Sequence, residues 1–334
     1  MALENLPNDD GNSLFESRLN VEELNHAAFR IRNEIGKVIV GQERVLDHLL
    51  TALLANGHVL LEGVPGIAKT MIAKLLSRCI NTGFSRIQFT PDLMPSDVLG
   101  TMVFHSGRSE FKFNKGPVFS NIILIDEVNR APAKTQAALF EVMEERQVTI
   151  DGITHPMEKP FIVLATQNPV EHEGTYRLPE AQLDRFLFRI KLDYPTLDQE
   201  VTILQNAQER GNVLETEAVS PVISAQEIID FQELITKVAV DHDILSYIAR
   251  IIDKTRNNSS LFLGASPRAS IAVLRSAKAF AALEGRDFVI PEDVKEMVVP
   301  VLNHRVILTP EKEMEGLQPE NVIRRIVDSV EVPR

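Results

Sequence analysis

The stretch that decides the fold is LEGVPGIAKT at residues 61–70. The apolar run HVLL at 58–61 precedes it, and TMIAKLLSRCI at 70–80, with helical spacing of apolar residues, follows it. This pattern predicts a buried strand, a tight turn and a helix. The turn at 63–70 matches the phosphate-binding pattern G-x-x-x-x-G-K-[ST] except at its last glycine position, where Ala68 stands.

The residue types of this turn suit a phosphate ligand. Glycines let backbone N–H groups point at phosphate oxygens, and the positive end of the following helix faces the same anion. Lys69 would reach the outer phosphates and Thr70 would ligate Mg²⁺. A glycine-rich turn also occurs by chance in α/β folds, but the strand before it and the helix after it favour the phosphate loop. We expect Ala68 to be tolerated only if its φ is negative. The predicted nucleotide-contacting residues here are Gly63, Val64, Pro65, Gly66, Ile67, Ala68, Lys69, Thr70 and Met71.

A second apolar run, NIILIDEVNR at 121–130, ends in two carboxylates. Asp126 at the strand end can hold the Mg²⁺ shell, and Glu127 can polarise a water for attack on the γ-phosphate. An apolar run ending in Asp-Glu is often only a strand that enters solvent. The phosphate loop upstream favours the catalytic interpretation.

Three further polar residues are candidates for the same reaction. Asn168, in ATQNP, ends the next predicted strand, where parallel α/β sheets place ligands, and would position the attacking water. The alternative for Asn168 is an ordinary turn residue before proline. Arg185 in PEAQLDRFLF and Arg268 in GASPRAS could be surface arginines, or could stabilise the charge that develops in phosphoryl transfer.

Composition limits the class of protein. The chain has 334 residues, which suggests two domains, and no apolar run approaches the ~20 residues of a membrane span. The single cysteine, Cys79, lies in the apolar stretch LLSRCI and is interpreted as packing, so a reducing cytoplasm is expected. The net charge of −12 argues against general binding to a phosphate backbone.

Short apolar runs that alternate with helical segments predict a parallel α/β sheet, buried on both faces. The predicted strands are HVLLEG at 58–63, RIQFT at 86–90, NIILIDE at 121–127, FIVLATQ at 161–167 and FRIKLDY at 188–194. Two hairpins interrupt the alternation, at 101–114 and 145–159. The predicted organisation is a flexible N-terminal arm at 1–20, a nucleotide-binding domain at 21–214 and a helical lid at 215–334, with Pro267, Pro291 and Pro300 near helix starts or breaks.

Together these motifs resemble the MoxR family of AAA+ ATPases. The resemblance covers roughly residues 35–310 and rests on VIVGQE, EGVPGIAKT, FTPDLMPSDVLGT, FNKGPVFSNIILIDEVNRAPAKTQAALFEVMEERQVTI, FIVLATQNPVEHEGTYRLPEAQLDRFLF and GASPRAS. It implies that 63–70 is Walker A, 122–127 is Walker B and Asn168 is sensor 1. It further implies that Arg185 is the arginine finger and that Arg268 is sensor 2. Arg130 and Arg189 are the alternative candidates for the finger. Val40, Gly41 and Gln42 match the segment that lines the adenine site.

The resemblance also implies an architecture and a role. The expected core is a five-stranded parallel sheet of order 5-1-4-3-2 with helices on both faces and a C-terminal helical lid. The expected assembly is a ring, usually a hexamer, that hydrolyses ATP with Mg²⁺ between subunits. The expected role is chaperone-like: maturation, cofactor insertion or assembly of client proteins, some with a von Willebrand factor A domain.

Other functions remain open at this point. A nucleic-acid-stimulated AAA+ motor or a subunit similar to magnesium chelatase would share the inserted hairpins. The net charge of −12 and the absence of aromatic–basic interleaving speak against nucleic acid. A nucleotide-gated binding module without turnover conflicts with Glu127. A GTPase conflicts with Asn114-Lys115, which lacks the guanine-reading Asp.

Overall fold

The computed structural model describes five stretches of the chain, which are residues 19–64, 67–107, 109–168, 178–210 and 214–333. Most of the predicted N-terminal arm lies outside these described residues, as do Pro65 and Gly66 of the phosphate loop. The strands of the described part are β1 (His58–Glu62), β2 (Phe84–Gln88), β3 (Gly100–His105), β4 (Glu110–Lys115), β5 (Ile122–Asp126), β6 (Gln147–Ile150), β7 (Ile153–Pro156), β8 (Ile162–Gln167), β9 (Phe186–Lys191), β10 (Leu261–Leu263) and β11 (Ile307–Leu308).

The helices of the described part surround and extend this sheet. They are α1 (Glu22–Gly36), α2 (Glu43–Leu54), α3 (Lys69–Ile80), α4 (Pro95–Leu99), α5 (Ala133–Glu145), α6 (Glu180–Leu183), α7 (Leu197–Arg210), α8 (Ala225–Thr236), α9 (His242–Arg256), α10 (Pro267–Leu283), α11 (Pro291–Leu302), α12 (Pro310–Met314) and α13 (Pro319–Asp328), with a short 3₁₀ helix at Val128–Arg130.

Five strands form one parallel sheet in the order β9-β1-β8-β5-β2. Counting only these core strands, the order is 5-1-4-3-2, so the predicted topology is confirmed. β2 and β9 each begin two residues earlier than predicted, because Phe84 pairs with Ile122 and Phe186 pairs with His58. The carboxyl ends of all five strands meet at one edge, where parallel α/β sheets bind ligands.

Alternate residues of the central strands enter two separate apolar cores. On β5, Ile122 and Leu124 belong to the core that includes α3, whereas Ile123 and Ile125 belong to the core that includes α5. This is the two-residue period of a strand that is buried on both faces. Asp126, at the end of β5, continues the Ile122–Leu124 series and therefore faces the α3 side.

The C-terminal helices pack on the α3 side of the sheet through α1 and α2. Helix α10 contacts α1, α2, α8, α9 and α11, and α11 contacts β9, so one apolar core runs from the sheet into the helical part. Helix α8 begins at the predicted residue, Ala225, because Ser224 accepts a hydrogen bond from the Glu227 backbone in a capping box. The domain boundaries at 214/215 and at 20/21 stay predictions.

Two of the three prolines that were predicted near helix starts or breaks begin a helix, and the third lies inside one. Pro267 and Pro291 are the first residues of α10 and α11, where the missing N–H has no intrahelical partner to lose. Pro300 lies inside α11 rather than at its start or at a break. It stands in the last turn, since the helix ends at Leu302, and so only one hydrogen bond near the end is lost.

The two predicted hairpins are present and touch each other. β3 pairs with β4 and β6 pairs with β7, both antiparallel, and the His155 ring stacks on Phe113 with centroids 4.5 Å apart. Phe104 and Phe111 form an exposed ring pair on the first hairpin. Along β4, Lys112 stands between Phe111 and Phe113 in the sequence, but neighbouring strand residues face opposite sides, so Lys112 does not lie on the face of the ring pair.

Two smaller expectations concern the chain as a whole. Cys79 is fully buried, and burial raises the pKa of its thiol to about 12, so its interpretation as a packing residue is confirmed. Across the described ranges, no helix combines the length and the apolar character that a membrane crossing would need.

Candidate functional site

At the carboxyl edge of the sheet, the loop after β1 and the ends of β2, β5 and β8 enclose a cavity of about 390 Å³. We call it the phosphate-loop cavity. Its lining residues are Ala68, Lys69, Thr70, Met71, Lys74, Arg86, Gln88, Asp126, Glu127, Thr166 and Asn168. The structure therefore brings together the predicted phosphate-binding lysine, both metal-ligating candidates, the water-polarising Glu127 and Asn168.

Lys69 is the first residue of α3 and folds back over its own loop. Its Nζ donates to the Gly63 carbonyl oxygen at 2.5 Å. Partial burial lowers the pKa of Lys69, against the opposing effect of Asp126, Glu127 and Glu62. A side chain at Gly63 would stand 2.5 Å from Ile67 Cδ1 and 3.0 Å from the Leu192 carbonyl, so the turn requires a glycine at this position.

Ala68 contradicts the expectation of a negative φ. It has φ 61° and ψ 14°, in the left-handed region, immediately before α3. An L-residue pays roughly 1–2 kcal/mol there because Cβ approaches the following carbonyl. The turn into α3 imposes this conformation, which is why the general loop pattern has glycine at the position. Strain of this kind is concentrated at functional sites.

The two carboxylates at the end of β5 line the same cavity. Asp126 is the last residue of the strand, and Glu127 has φ 57° and ψ 53°, outside the extended region. Strict alternation would have sent the two side chains to opposite faces of the sheet, and that expectation is wrong because the strand has already ended. The Glu127 backbone N–H donates to Thr166 Oγ1 at 3.0 Å, which anchors this turn to β8.

Each carboxylate is held by a polar residue of β2 that sequence reasoning missed. Arg86 Nε donates to Asp126 Oδ2 at 2.6 Å, and Gln88 Nε2 donates to Glu127 Oε2 at 2.8 Å. Polar side chains two apart on a predicted buried strand were a usable signal, since residues with that spacing face the same side. The stretch RIQFT carries this signal, but it was interpreted only as a strand.

The oxygen donors in the cavity fit Mg²⁺. The Thr70 hydroxyl and the Asp126 carboxylate line one cavity, beside the loop that would present phosphate oxygens. Mg²⁺ prefers such oxygen ligands and is commonly held by one or two carboxylates together with phosphates. Asp126 would hold the metal shell and Thr70 would supply a hydroxyl ligand; the bound metal would neutralise charge on the β- and γ-phosphates.

The two predicted catalytic arginines are not in this cavity. Arg185 and Arg268 line a second cavity of about 440 Å³, which also includes Arg146, Arg275 and Arg305, and which we call the arginine cavity. Arg185 Nε donates to Glu144 Oε2 at 2.8 Å. Arg268, 73% exposed, lies 3.9 Å from a carboxylate oxygen of Glu144 and 3.9 Å from one of Asp184.

The remaining arginines of the arginine cavity are fixed in the protein. Arg146 donates to Asn56 Oδ1 and to the Asn56 carbonyl, and Arg275 donates to the Ala55 carbonyl. Burial, followed by the nearby charge of Arg275, lowers the pKa of Arg146. Arg305, which sequence reasoning missed, is buried against Asp184 and the carbonyls around β9. The Arg268 side chain is more exposed than those of Arg185 and Arg305, which line the same cavity.

The two substitutes for Arg185 have partners in their own subunit. Arg130 NH1 lies 3.3 Å from Glu127 Oε2, and Arg189 Nε donates to Glu62 Oε2 at 2.7 Å. Both therefore lie near the ends of β5 and β1, whereas Arg185 lies at the arginine cavity.

The segment predicted to line the adenine site lies beside a third cavity. Gly41 and Gln42 line a cavity of about 450 Å³ together with Tyr194 and residues of α11 and α13. Gly41 has φ 77°, and a side chain there would clash with Gln199. Val40 and Val64 are half-buried and do not line the phosphate-loop cavity.

Comparison with known proteins places this arrangement in a family. The model of the ATPase family associated with various cellular activities (AAA) matches residues 58–188, and that of the AAA lid domain matches residues 253–326. A solved structure of a candidate ATPase from Cytophaga hutchinsonii superposes with a TM-score of 0.84 at 42% identity, covering 95% of this chain and 100% of that chain.

Two curated relatives cover nearly all of the chain. Protein YeaC of Bacillus subtilis is 46% identical over 93% of this chain and 97% of its own length. Chaperone MoxR1 of Mycobacterium tuberculosis is 44% identical over 92% of this chain and 83% of its own length. With the five-stranded sheet, the phosphate loop and the helical lid, these similarities show that the chain is an ATPase and belongs to the MoxR family of AAA+ ATPases.

Proposed function

We propose that this chain is the subunit of a ring, usually a hexamer, that uses ATP and Mg²⁺ to mature or assemble client proteins. The observation that carries the proposal is the separation of two complementary groups. Lys69, Thr70, Asp126 and Glu127 line one cavity, and Arg185 and Arg268 line another. Arg86, which lines the phosphate-loop cavity, is bound to Asp126, so in this proposal a neighbour supplies the arginine that acts at the γ-phosphate.

Each residue has a distinct task in this proposal. Lys69 leaves the Gly63 carbonyl and binds the outer phosphates, and Asp126 with Thr70 holds the metal shell. Glu127 accepts a proton from the attacking water while Asn168 orients that water. Arg185 of one subunit stabilises the charge that develops at the γ-phosphate in the next. Arg268, which lies beside Arg185, is proposed to act on the same neighbouring nucleotide.

The test mixes two inactive variants. Arg185→Ala keeps an intact phosphate-loop cavity, and Lys69→Ala keeps an intact arginine cavity. We expect neither variant alone to hydrolyse ATP and the mixture to regain turnover, because mixed rings pair a good cavity with a good arginine. Specific activity of the wild type should also rise with protein concentration as rings form. If mixed rings form and stay inactive, while activity per subunit is constant on dilution, Arg185 does not act in trans.

The client is the least defined part of the proposal. The relative named Chaperone MoxR1 supports a chaperone role, and the family resemblance suggests clients with a von Willebrand factor A domain. Glu127→Gln should bind ATP without hydrolysing it and so retain clients. Affinity capture with this variant, compared with Lys69→Ala as the non-binding control, should enrich one set of proteins in the presence of ATP. Equal capture by both variants would contradict a nucleotide-controlled client.

One observation favours the alternative of a nucleic-acid-stimulated motor. The first hairpin exposes the ring pair of Phe104 and Phe111, and the bases of single-stranded nucleic acid stack on exposed aromatic side chains. The ATPase rate with and without single-stranded DNA decides between the two functions. A rate that does not change supports the protein client. A cytoplasmic location stays a prediction from the sequence.

A further inference from the structure

Arg86 lies on β2 in a position that aims it at the metal-ligating carboxylate. Phe84, which packs in the core on the α3 side, and Arg86 are two residues apart, so both face that side. The Arg86 Cα pairs with Leu124 of β5, and Asp126, two residues further on, faces the same side. The Arg86 guanidinium therefore meets the Asp126 carboxylate by extending two residues along β5, from the level of Leu124 to that of Asp126.

Both oxygens of Asp126 have a donor from the protein. Oδ2 accepts from Arg86 Nε at 2.6 Å, and Oδ1 accepts from Thr166 Oγ1 at 3.3 Å. The Asp126 side chain is only 12% exposed, so little water is available to replace a lost partner. A charged group at such a position needs a cationic partner when no metal is bound.

A metal ion and Arg86 would compete for this carboxylate. The cavity is lined by three cations, Lys69, Lys74 and Arg86, and by the two carboxylates Asp126 and Glu127. A guanidinium that occupies Oδ2 stands where a metal ion or its water shell would have to lie. The Arg86 side chain is 51% exposed, so it has open space into which it can withdraw.

The neighbouring glutamate is held differently. Glu127 Oε2 accepts from the neutral amide of Gln88 at 2.8 Å and lies 3.3 Å from Arg130 NH1, so its cationic partner comes from the 3₁₀ helix and not from β2. Strand β2 thus supplies a cation to the carboxylate that would bind metal and only a neutral amide to the carboxylate that would activate water. This contrast between residues 86 and 88 assigns them different tasks.

We propose that Arg86 is a positioning residue that holds Asp126 in the absence of metal and is displaced by Mg²⁺ into the open part of the cavity. The inference rests on the proposed function, because it takes Asp126 to be the residue at the metal. Arg86 makes nucleotide-free subunits stable and sets the Mg²⁺ concentration at which nucleotide is bound in its metal complex.

The test measures binding rather than turnover. A fluorescent, non-hydrolysable ATP analogue is titrated with Mg²⁺ on wild type, Arg86→Ala, Arg86→Lys and Lys74→Ala. Arg86→Ala should lower the Mg²⁺ concentration for half-maximal binding by about tenfold, the lower end expected for a hydrogen bond between charged groups, because the Arg86 side chain is half exposed. Arg86→Lys should lie between wild type and Arg86→Ala. Lys74→Ala removes an equal charge from the same cavity without touching Asp126 and should shift the value by less than about twofold.

Thermal unfolding in EDTA supplies the second measurement. Arg86→Ala should unfold at a lower temperature than wild type, and it should have little further effect when added to Asp126→Asn, because the pair is already broken. The proposal is overturned if the Mg²⁺ requirement of Arg86→Ala is unchanged, or if Lys74→Ala shifts it equally. Should Arg86→Ala not fold, Arg86→Gln and Arg86→Lys take its place. A wild type that binds no analogue at any Mg²⁺ concentration would instead contradict the proposed function itself.

Discussion

The phosphate-loop cavity and the arginine cavity are similar in volume, at about 390 Å³ and 440 Å³, and opposite in what they lack. The first has a lysine, a hydroxyl and two carboxylates at the carboxyl edge of the sheet, but its candidate fingers lie elsewhere. The second has five lining arginines, of which Arg185 and Arg268 lie near the carboxylates of Glu144 and Asp184. In the proposed ring, each cavity would supply half of a phosphoryl-transfer site, and this difference would explain why the subunits work as an assembly.

The largest effect on ATP hydrolysis should come from a substitution in the arginine cavity. Arg185→Ala should lower ATP hydrolysis by ~10³–10⁵-fold and leave ATP affinity nearly unchanged, because a finger acts on charge that develops in the transition state. Arg185→Lys should recover little, since a lysine lacks the planar fork of the guanidinium. Steady-state phosphate release and equilibrium binding measure the two quantities. A loss of ATP binding equal to the loss of rate would place Arg185 in its own subunit's cavity.

A substitution in the phosphate-loop cavity should abolish ATP binding. Wild type at a hundredfold excess of ATP·Mg²⁺ over Kd should gain ~2.7 kcal/mol in the free energy of unfolding. Lys69→Ala should lose this gain, because the loop then has no cation for the outer phosphates. Lys112→Ala, on the exposed hairpin, is the matched control and should keep the gain. The comparison fails if Lys69→Ala shows the wild-type shift in thermal unfolding.

Acid should act on the arginine cavity through His58, a buried residue of its wall. His58 Nδ1 accepts from the Val163 N–H and Nε2 donates to the Met143 carbonyl, each at 3.0 Å, which fixes the neutral ring. Burial, with the charge of Arg146, lowers the pKa of His58 to about 3. The unfolded chain binds a proton near pH 6.5 and the folded chain does not. Stability contributed by the neutral ring is therefore complete above pH 6.5 and is lost as the pH falls.

The expected slope is about 1.4 kcal/mol per pH unit from His58 between pH 6.5 and about 4. His304, whose pKa is also lowered well below its usual range by burial, adds a slope of the same sign. His58→Gln should flatten, though not abolish, the loss of unfolding free energy over this interval. Urea titrations at several pH values measure it. An unchanged slope would mean that His58 is not the group that resists protonation.

The smallest effect on the free energy of unfolding should come from Ala68, in the strained turn before α3. Ala68→Gly should relieve the left-handed strain but add freedom to the unfolded chain, so the free energy of unfolding should rise by less than about 1 kcal/mol. Ala73→Gly, inside α3, is the control and should lower it by about 1 kcal/mol or more. Denaturant unfolding distinguishes the two. Destabilisation by Ala68→Gly would show that the loop is not strained at this residue.

Local patterns predicted the first cavity well and the second poorly. Asp126, Glu127 and Asn168 lie at or just after strand ends, and Lys69 and Thr70 begin the helix that follows β1. A parallel sheet brings the carboxyl ends of its strands to one edge. The sign of φ at Ala68 was not predictable from residue type, because the turn into α3 imposes it against the residue's own preference. Alternation along a strand would not place Asp126 and Glu127 in one cavity, and they share it because the strand ends at Asp126.

The arginine cavity depends on contacts between parts of the chain that lie far apart. Arg185 and Glu144 are 41 positions apart, and Arg305 meets Asp184 across 121 positions. No local period encodes such pairs, so sequence reasoning could single out Arg185 and Arg268 only through the family resemblance. Arg86 could have been recognised from the sequence, because an arginine two positions from Gln88 on a predicted buried strand is unusual.

In the proposed ring, helix α5 would set the order in which the subunits hydrolyse ATP. It begins shortly after Glu127, and Glu144 in its last turn binds Arg185. With 13 residues, α5 is about 20 Å long. It connects the site where a subunit would hydrolyse its own ATP with Arg185, the residue proposed to act on the ATP of the neighbouring subunit. In such a ring, a displacement of α5 in one subunit reaches the γ-phosphate of the next. Hydrolysis would then pass from subunit to subunit in one direction.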